Sequence, residues 1–206
     1  MNKTSILLID DHTVMRMGLA SLLGTCKELS VVGDAGDGES GLRLAVKLRP
    51  DVVIMDLIMP RMSGAEVTKA LVEKWPQAKI LILTTFGTAD GISKALEAGA
   101  KGAILKSSDL SELRKAILEV ANGRSYISSE IKHIMAEDPP VNVLSPRQGE
   151  ILQAIARGLN NTDIAKLLGI SLDMVREHTS ALFQKLGAAN RTEAVAIALR
   201  KHLLKL

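Results

Sequence analysis

The chain has 206 residues, 47% hydrophobic and 2% aromatic, and 26 Lys and Arg against 23 Asp and Glu leave a net charge of +3. That length allows one or two domains with a buried core. The scarcity of aromatics argues against a base-stacking platform for single strands, the lone Cys26 rules out an internal disulfide, and no apolar run approaches the ~20 residues of a membrane span. Single cysteine usage fits a reducing compartment. The chain opens directly on a strand pattern, without a charged leader and apolar stretch, so a cytoplasmic protein that meets no membrane is expected.

Short apolar runs alternate with amphipathic stretches as far as residue 122. Strands are predicted at 4–9, 30–34, 51–56, 80–84 and 102–105, and helices at 12–25, 37–48, 63–74, 88–98 and 109–122. Continuous apolar strands alternating with helices imply a parallel sheet covered on both faces, a (βα)5 doubly wound α/β unit with right-handed crossovers. Ser63 to Glu66 and Asp109 to Glu112 have capping-box spacing, and Gly99 and Gly123 are helix stops. A short helix is predicted over 128–136. Glu137, Asp138, Pro139 and Pro140 then close it, because consecutive prolines cannot continue a helix.

From Leu144 onward the pattern is all helical. Ser145, Pro146 and Gln148 form a start signal with an N-cap, a proline in the first helical position and a box partner. Helices follow from there to Gly158, over 161–168, from Leu172 to about Leu186, and after the Asn190 cap, giving an all-α four-helix unit with helix-turn-helix spacing. Net charge is −1 over residues 1–139 and +4 over residues 140–206, which points to the second part as the one that meets a polyanion.

Ligand chemistry in open α/β sheets gathers at the carboxyl ends of the strands. The predicted strands end at Asp10 and Asp11, at Asp56, at Thr84 and at Lys106. Three crowded carboxylates repel one another unless a cation joins them, and Mg²⁺, a small oxygen-seeking ion, suits them. Asp56, on the central strand, is then the nucleophile toward phosphorus. Asp10, Asp11, Asp56 and the backbone carbonyl of Ile58 are the metal ligands, Lys106 pairs with the phosphoryl group and Thr84 hydrogen-bonds to it. His12 is read as the first turn of the first helix, since Mg²⁺ prefers oxygen. Ile58 and Phe86 flank the site and are expected to hinder an attacking water.

The segments Ile9 to His12, Met55 to Gly64, Thr84 and Ile104 to Lys106 together resemble the receiver domain of two-component response regulators. The resemblance implies phosphorylation of Asp56 by a sensor histidine kinase and a two-state switch, with a homodimer favoured on phosphorylation. Where many receivers carry an aromatic residue three places before the lysine, this chain has Ala103. Val14, Met15, Met17 and Leu19, with Leu113, Ile117 and Val120, are read as candidates for the dimer face, and the same residues serve equally well as core. Leu144 to Leu152, Asn161 to Ala165, Leu168 to Ser171, Val175 to His178 and Lys185 to Gly187 resemble the LuxR-type DNA-binding domain. Together these give the NarL/FixJ class: a receiver over 1–124, a linker with a short helix over 125–141 and a DNA-binding domain over 142–206.

Val175, Thr179, Leu182 and Leu186 recur at helical spacing and should face the core. Asp173, Met174, Arg176, Glu177 and Ser180 fall on the opposite face, where a recognition helix meets double-stranded promoter DNA. Asn161, Thr162 and Lys185 complete the DNA-contacting set, and RNA polymerase is a further candidate partner. Gln148 departs from the usual Glu, and Glu177 is unusual on a DNA face. The competing readings are an adaptor that accepts a phosphoryl group and binds protein through its helical tail, and a phosphatase with an Asp nucleophile. The phosphatase lacks support, because Leu57 and Ile58 follow Asp56 and no cap insertion is present.

Overall fold

The computed structural model describes residues 3–85, 89–137, 144–201 and 203–204. Contacts divide the chain into two units, Met1–Pro139 and Pro140–Leu206.

In the first unit, β1 (Thr4–Ile9), α1 (Thr13–Gly24), β2 (Leu29–Ala35), α2 (Gly38–Leu48), β3 (Val52–Asp56), α3 (Gly64–Lys74), β4 (Ile80–Thr84), α4 (Ala89–Glu97), β5 (Gly102–Leu105) and α5 (Leu110–Ala121) follow the predicted order. The strands lie in the order β2-β1-β3-β4-β5-β6, all pairs parallel, where β6 is the added strand Tyr126–Ile127. Side chains alternate across the pleat. Leu7, Ile9, Val53, Met55, Ile80, Ile82 and Ala103 build one core, and Ile6, Leu8, Val52, Ile54, Leu81, Leu83 and Ile104 build the other. β3 and β4 are buried along their whole length, so their carboxyl ends lie in the middle of the sheet's rim.

Helix entry follows the local signals. Ser63 and Glu66 form a complete capping box, and Asp109 accepts from the Glu112 amide. Gly99 and Gly123 end their helices with φ of 114° and 78°, a conformation that favours glycine.

Two expectations change. Residues 125–141 read as a linker, yet Tyr126–Ile127 extend the sheet beside Gly102 and Ala103, and the Ser128 amide donates to the Ala103 carbonyl at 3.1 Å. The helix that follows, α6 (Ser129–Glu137), places Ile131 at 0% exposure in the core that holds Ile92, Ala95 and Ala103. A two-residue strand carries no periodicity, which is why the sequence hid it. The second settles which of the two readings holds for the dimer-face candidates on α5. Leu113, Ile117 and Val120 are buried against the sheet with Leu81, Leu83 and Ile104, so they are core. Val14 and Met17 on α1 remain 85% and 69% exposed. Residues 138–140, at the expected boundary, Thr88, at the expected start of the fourth helix, and Phe86 lie outside the described residues.

In the second unit, α7 (Pro146–Ala156), α8 (Asn161–Leu168), α9 (Leu172–Leu186) and α10 (Arg191–Arg200) enclose Ile151, Leu152, Ile155, Ile164, Val175, Leu182 and Leu186. Ser145 and Gln148 form the expected capping box. Among the described residues no helix is long and apolar enough to cross a membrane.

Because Ile131 fills the core between β5 and α4, Ile131→Ala is expected to lower the stability of the first unit by about 3 kcal/mol through the cavity it leaves. Urea unfolding followed by the fluorescence of Trp75, the only tryptophan of the chain, checks this; an unchanged midpoint would mean that the helix contributes no core.

Candidate phosphoryl-acceptor site and DNA-binding helix

Parallel pairing carries the strand ends to one rim. Asp56 closes β3 and stands at 5% exposure; Asp10 follows β1 at 3%; Thr84 closes β4 at 1%. Lys106 follows β5, and its amide donates to the Thr84 carbonyl at 2.8 Å, which ties the last two strand ends together. The Lys106 ammonium lies 2.6 Å from Asp10 Oδ2 and 2.8 Å from Asp56 Oδ2, with its side chain only 3% exposed. Asp10, Asp11, His12 and Asp56 each offer an atom within 4.8 Å of the others. The structure therefore brings together the side chains of Asp10, Asp11, Asp56 and Lys106, with Thr84 at the neighbouring strand end.

The turn after β3 is closed by glycine. The Gly64 amide donates to the Leu57 carbonyl at 2.9 Å, and a Cβ at residue 64 would collide with the Asp56 carbonyl oxygen. The Ile58 amide approaches Asp56 Oδ1 at 3.4 Å, and the Ile58 side chain stands 59% exposed at the rim. His12 comes one position earlier than expected. It is the N-cap of α1 yet makes no side-chain cap, and its Nδ1 turns to Asp11 Oδ1 at 2.9 Å.

Electrostatics match the crowding. Burial pushes the Asp56 carboxyl above its ordinary value; the hydrogen bond and charge of Lys106 oppose this, and the nearby Asp10 reinforces it. Burial works against the Lys106 charge too, but hydrogen bonds to Asp10 and Asp56 outweigh it and hold the ammonium above its usual range. One cation thus serves two carboxylates, while among the described residues Thr84 Oγ1 is buried with no hydrogen-bond partner and Asp11 Oδ1, 2.9 Å from His12 Nδ1, makes no well-aligned hydrogen bond. Buried polar atoms are rarely left so. The unsatisfied carboxylate oxygen and the all-oxygen Asp set fit a hard divalent cation. The site can hold such an ion at Asp10, Asp11 and Asp56, and it offers a hydroxyl and an ammonium to an incoming anion.

In the second unit, Val175, Thr179, Leu182 and Leu186 of α9 are buried, as their spacing requires. Asp173, Met174, Arg176, Glu177 and Ser180 are exposed on the opposite face, and Thr162 is exposed on α8 with Asn161 half-buried. Arg176 Nη1 pairs with Asp173 Oδ1 at 3.2 Å. Lys185 Nζ donates to Gln148 Oε1 at 3.0 Å, and the same oxygen accepts from the Ser145 amide at 2.9 Å. That ammonium fastens the end of α9 to the start of α7. Gln148, the departure noted in the sequence, is the residue that makes this tie.

Comparison with known proteins decides the family. Residues 6–118 match the response regulator receiver domain, and residues 142–198 match the bacterial regulatory proteins of the luxR family. The chain is a two-component response regulator of the NarL/FixJ class, with a receiver followed by a LuxR-type DNA-binding domain. This response regulator is 38% identical to the transcriptional regulatory protein LiaR of Bacillus subtilis, over 97% of the chain and 98% of that protein. It is 32% identical to the response regulator VraR of Staphylococcus aureus, over 97% and 98%. Among solved structures it is similar to RcsB of Salmonella enterica serovar Typhimurium bound to a promoter in the presence of a phosphomimetic, at 25% identity and a TM-score of 0.73, covering 95% of this chain and 98% of that one. The family consists of transcription factors, not enzymes.

The raised Asp56 carboxyl predicts a sign for stability. Its ionisation costs the folded state more than the unfolded one, so the penalty is absent below the ordinary value of 3.8 and develops as pH rises through the higher folded value. In chelator, Asp56→Asn is expected to raise the urea midpoint at neutral pH, with the gain vanishing in acid. A lowered midpoint at neutral pH would show that attraction to Lys106 outweighs burial.

Proposed function

We propose that this response regulator accepts a phosphoryl group on Asp56 from a sensor histidine kinase and, as a phosphorylated dimer, binds promoter DNA through α9. The observation that supports it most is the Asp56 carboxylate at the end of the central strand, held by Lys106, beside two further carboxylates and a buried Thr84 hydroxyl without a partner. An Asp56 carboxylate oxygen attacks phosphorus, the bond from phosphorus to the donor imidazole nitrogen breaks, and an acyl phosphate forms as the imidazole leaves. Mg²⁺ held by Asp10, Asp11, Asp56 and the Ile58 carbonyl would neutralise the carboxylates and the phosphoryl oxygens. Lys106 can then move its charge from the Asp56 carboxylate to the new dianion, and the Thr84 hydroxyl gains the acceptor it lacks. These two shifts bias the ends of β4 and β5 toward a second state.

The exposed Val14 on α1 borders a groove of about 660 Å³ lined by Met15, Leu19, Leu22, Leu105 and Leu113. This face serves as the dimer surface, with Leu113 of α5 in its floor, while Ile117 and Val120 stay in the core beneath. A dimer places two α9 helices on two half-sites. Arg176 must exchange Asp173 for a phosphate or a base edge, and Glu177 must find a donor such as a cytosine amino group.

Incubation with acetyl phosphate and Mg²⁺ tests this. Wild type is expected to gain one phosphoryl group by mass, to dimerise and to protect a promoter footprint that weakens steeply with salt; Asp56→Asn is expected to do none of the three. Phosphorylation and dimerisation without salt-dependent DNA retention would favour the protein-binding adaptor.

The apolar Ile58 at the rim should hinder water. Phosphorylated Ile58→Asn is expected to lose its label faster than wild type in a radiolabel decay assay. Equal decay, or loss from wild type within seconds, would sink that role.

A further inference from the structure

Arg16 of α1 is a charged side chain with only 14% exposure, and neither of its bonds is to the acidic cluster's own carboxylates. Its Nη1 donates to the backbone carbonyl of Asp10 at 2.7 Å, and its Nε donates to Asp34 Oδ2 at 2.8 Å. The Asp10 carbonyl sits where the chain leaves the sheet. The last ladder pair of β1 is Ile9 with Ala35, and the Asp10 amide still donates to the Ala35 carbonyl at 3.1 Å. The peptide after Asp10 has therefore lost its strand partner, while the side chains on either side of it, Asp10 and Asp11, belong to the site. The Asp10 carboxylate is fixed separately, by the His12 amide at 2.8 Å on Oδ1 and by Lys106 on Oδ2. Asp11 has no such pair of anchors: the exposed His12 imidazole lies 2.9 Å from its Oδ1 without a well-aligned hydrogen bond. The direction of Asp11 depends on how the Asp10–Asp11 peptide is rotated.

We propose that Arg16 is a positioning residue of the phosphoryl-acceptor site: it clamps the Asp10 carbonyl, and so sets the peptide that aims Asp11 at the divalent cation, while Asp34 on β2 clamps Arg16. A guanidinium suits the task because its planar fork bonds two acceptors at fixed angles and never loses its charge. The fork spans the ends of two strands, so the turn takes its orientation from the sheet. Outer partners that orient metal ligands typically change affinity 10–100-fold when removed. This inference rests on the reading of the site as one that binds a divalent cation.

The test is Mg²⁺ affinity of the full chain by titration calorimetry, with folding checked by Trp75 fluorescence. Arg16→Ala is expected to weaken Mg²⁺ about tenfold, and Asp34→Asn by less. Because the two residues act in series, the double variant should bind no more weakly than Arg16→Ala alone. Arg16→Lys keeps the charge but lacks the fork, so it should also lose affinity. Wild-type affinity in folded Arg16→Ala, or losses that multiply in the double variant, would overturn the proposal. Should Arg16→Ala not fold, wild-type affinity in both Arg16→Lys and Asp34→Asn would overturn it. A wild-type chain that binds no Mg²⁺ would instead remove the reading of the site itself, and this inference with it.

Discussion

One buried ammonium holds the functional rim together. Lys106 bridges Asp10 and Asp56, which come from the ends of β1 and β3, and its own backbone is tied to β4 through Thr84. Four strand ends are thereby connected through one side chain and one backbone hydrogen bond. Buried ion pairs of this kind add little net stability, because desolvation offsets attraction. The arrangement sets one cation between two neighbouring carboxylates, and its hydrogen bond and charge oppose the upward push that burial gives the Asp56 carboxyl. The rest of the first unit serves this arrangement: a parallel sheet, sealed on both faces, that brings the three carboxylates to one edge.

Legibility followed periodicity and charge. The runs ending at Asp10, Asp56, Thr84 and Lys106 were visible because strands buried on both faces are uninterrupted, and a polar residue closing such a run marks the rim. The caps at Ser63, Asp109, Ser145 and Asn190 were visible because hydrogen bonding within four residues fixes them. What remained hidden depends on distance in the chain. Tyr126–Ile127 become a strand only because β5 offers an open edge. Leu113, Ile117 and Val120 have the same stripe whether they face a sheet or a second molecule, and only the packing shows that they face the sheet. Arg16 and Asp34 lie 18 residues apart, so no local pattern joins them. The bond from Lys185 to Gln148 likewise joins residues 37 apart in the chain, beyond the reach of any local pattern.

The two units are stabilised in different ways. The first has long apolar strands and two cores, and it tolerates several buried charged groups at its rim. The second has short helices and a single core, and polar ties fix its ends: Gln148 joins α7 to α9, and Arg191 of α10 donates to the Leu159 carbonyl just beyond α7. The outer face of α9 presents a mixed surface of Asp173, Met174, Arg176, Glu177 and Ser180.

The added strand has a mechanical meaning. Tyr126–Ile127 lie directly against β5, the strand whose end delivers Lys106, and α6 seals Ala103 beneath Ile131. Residues 126–137 therefore belong to the scaffold of the rim itself. Alterations at Tyr126 or Ile127 would act on the edge strand beside the one that carries Lys106.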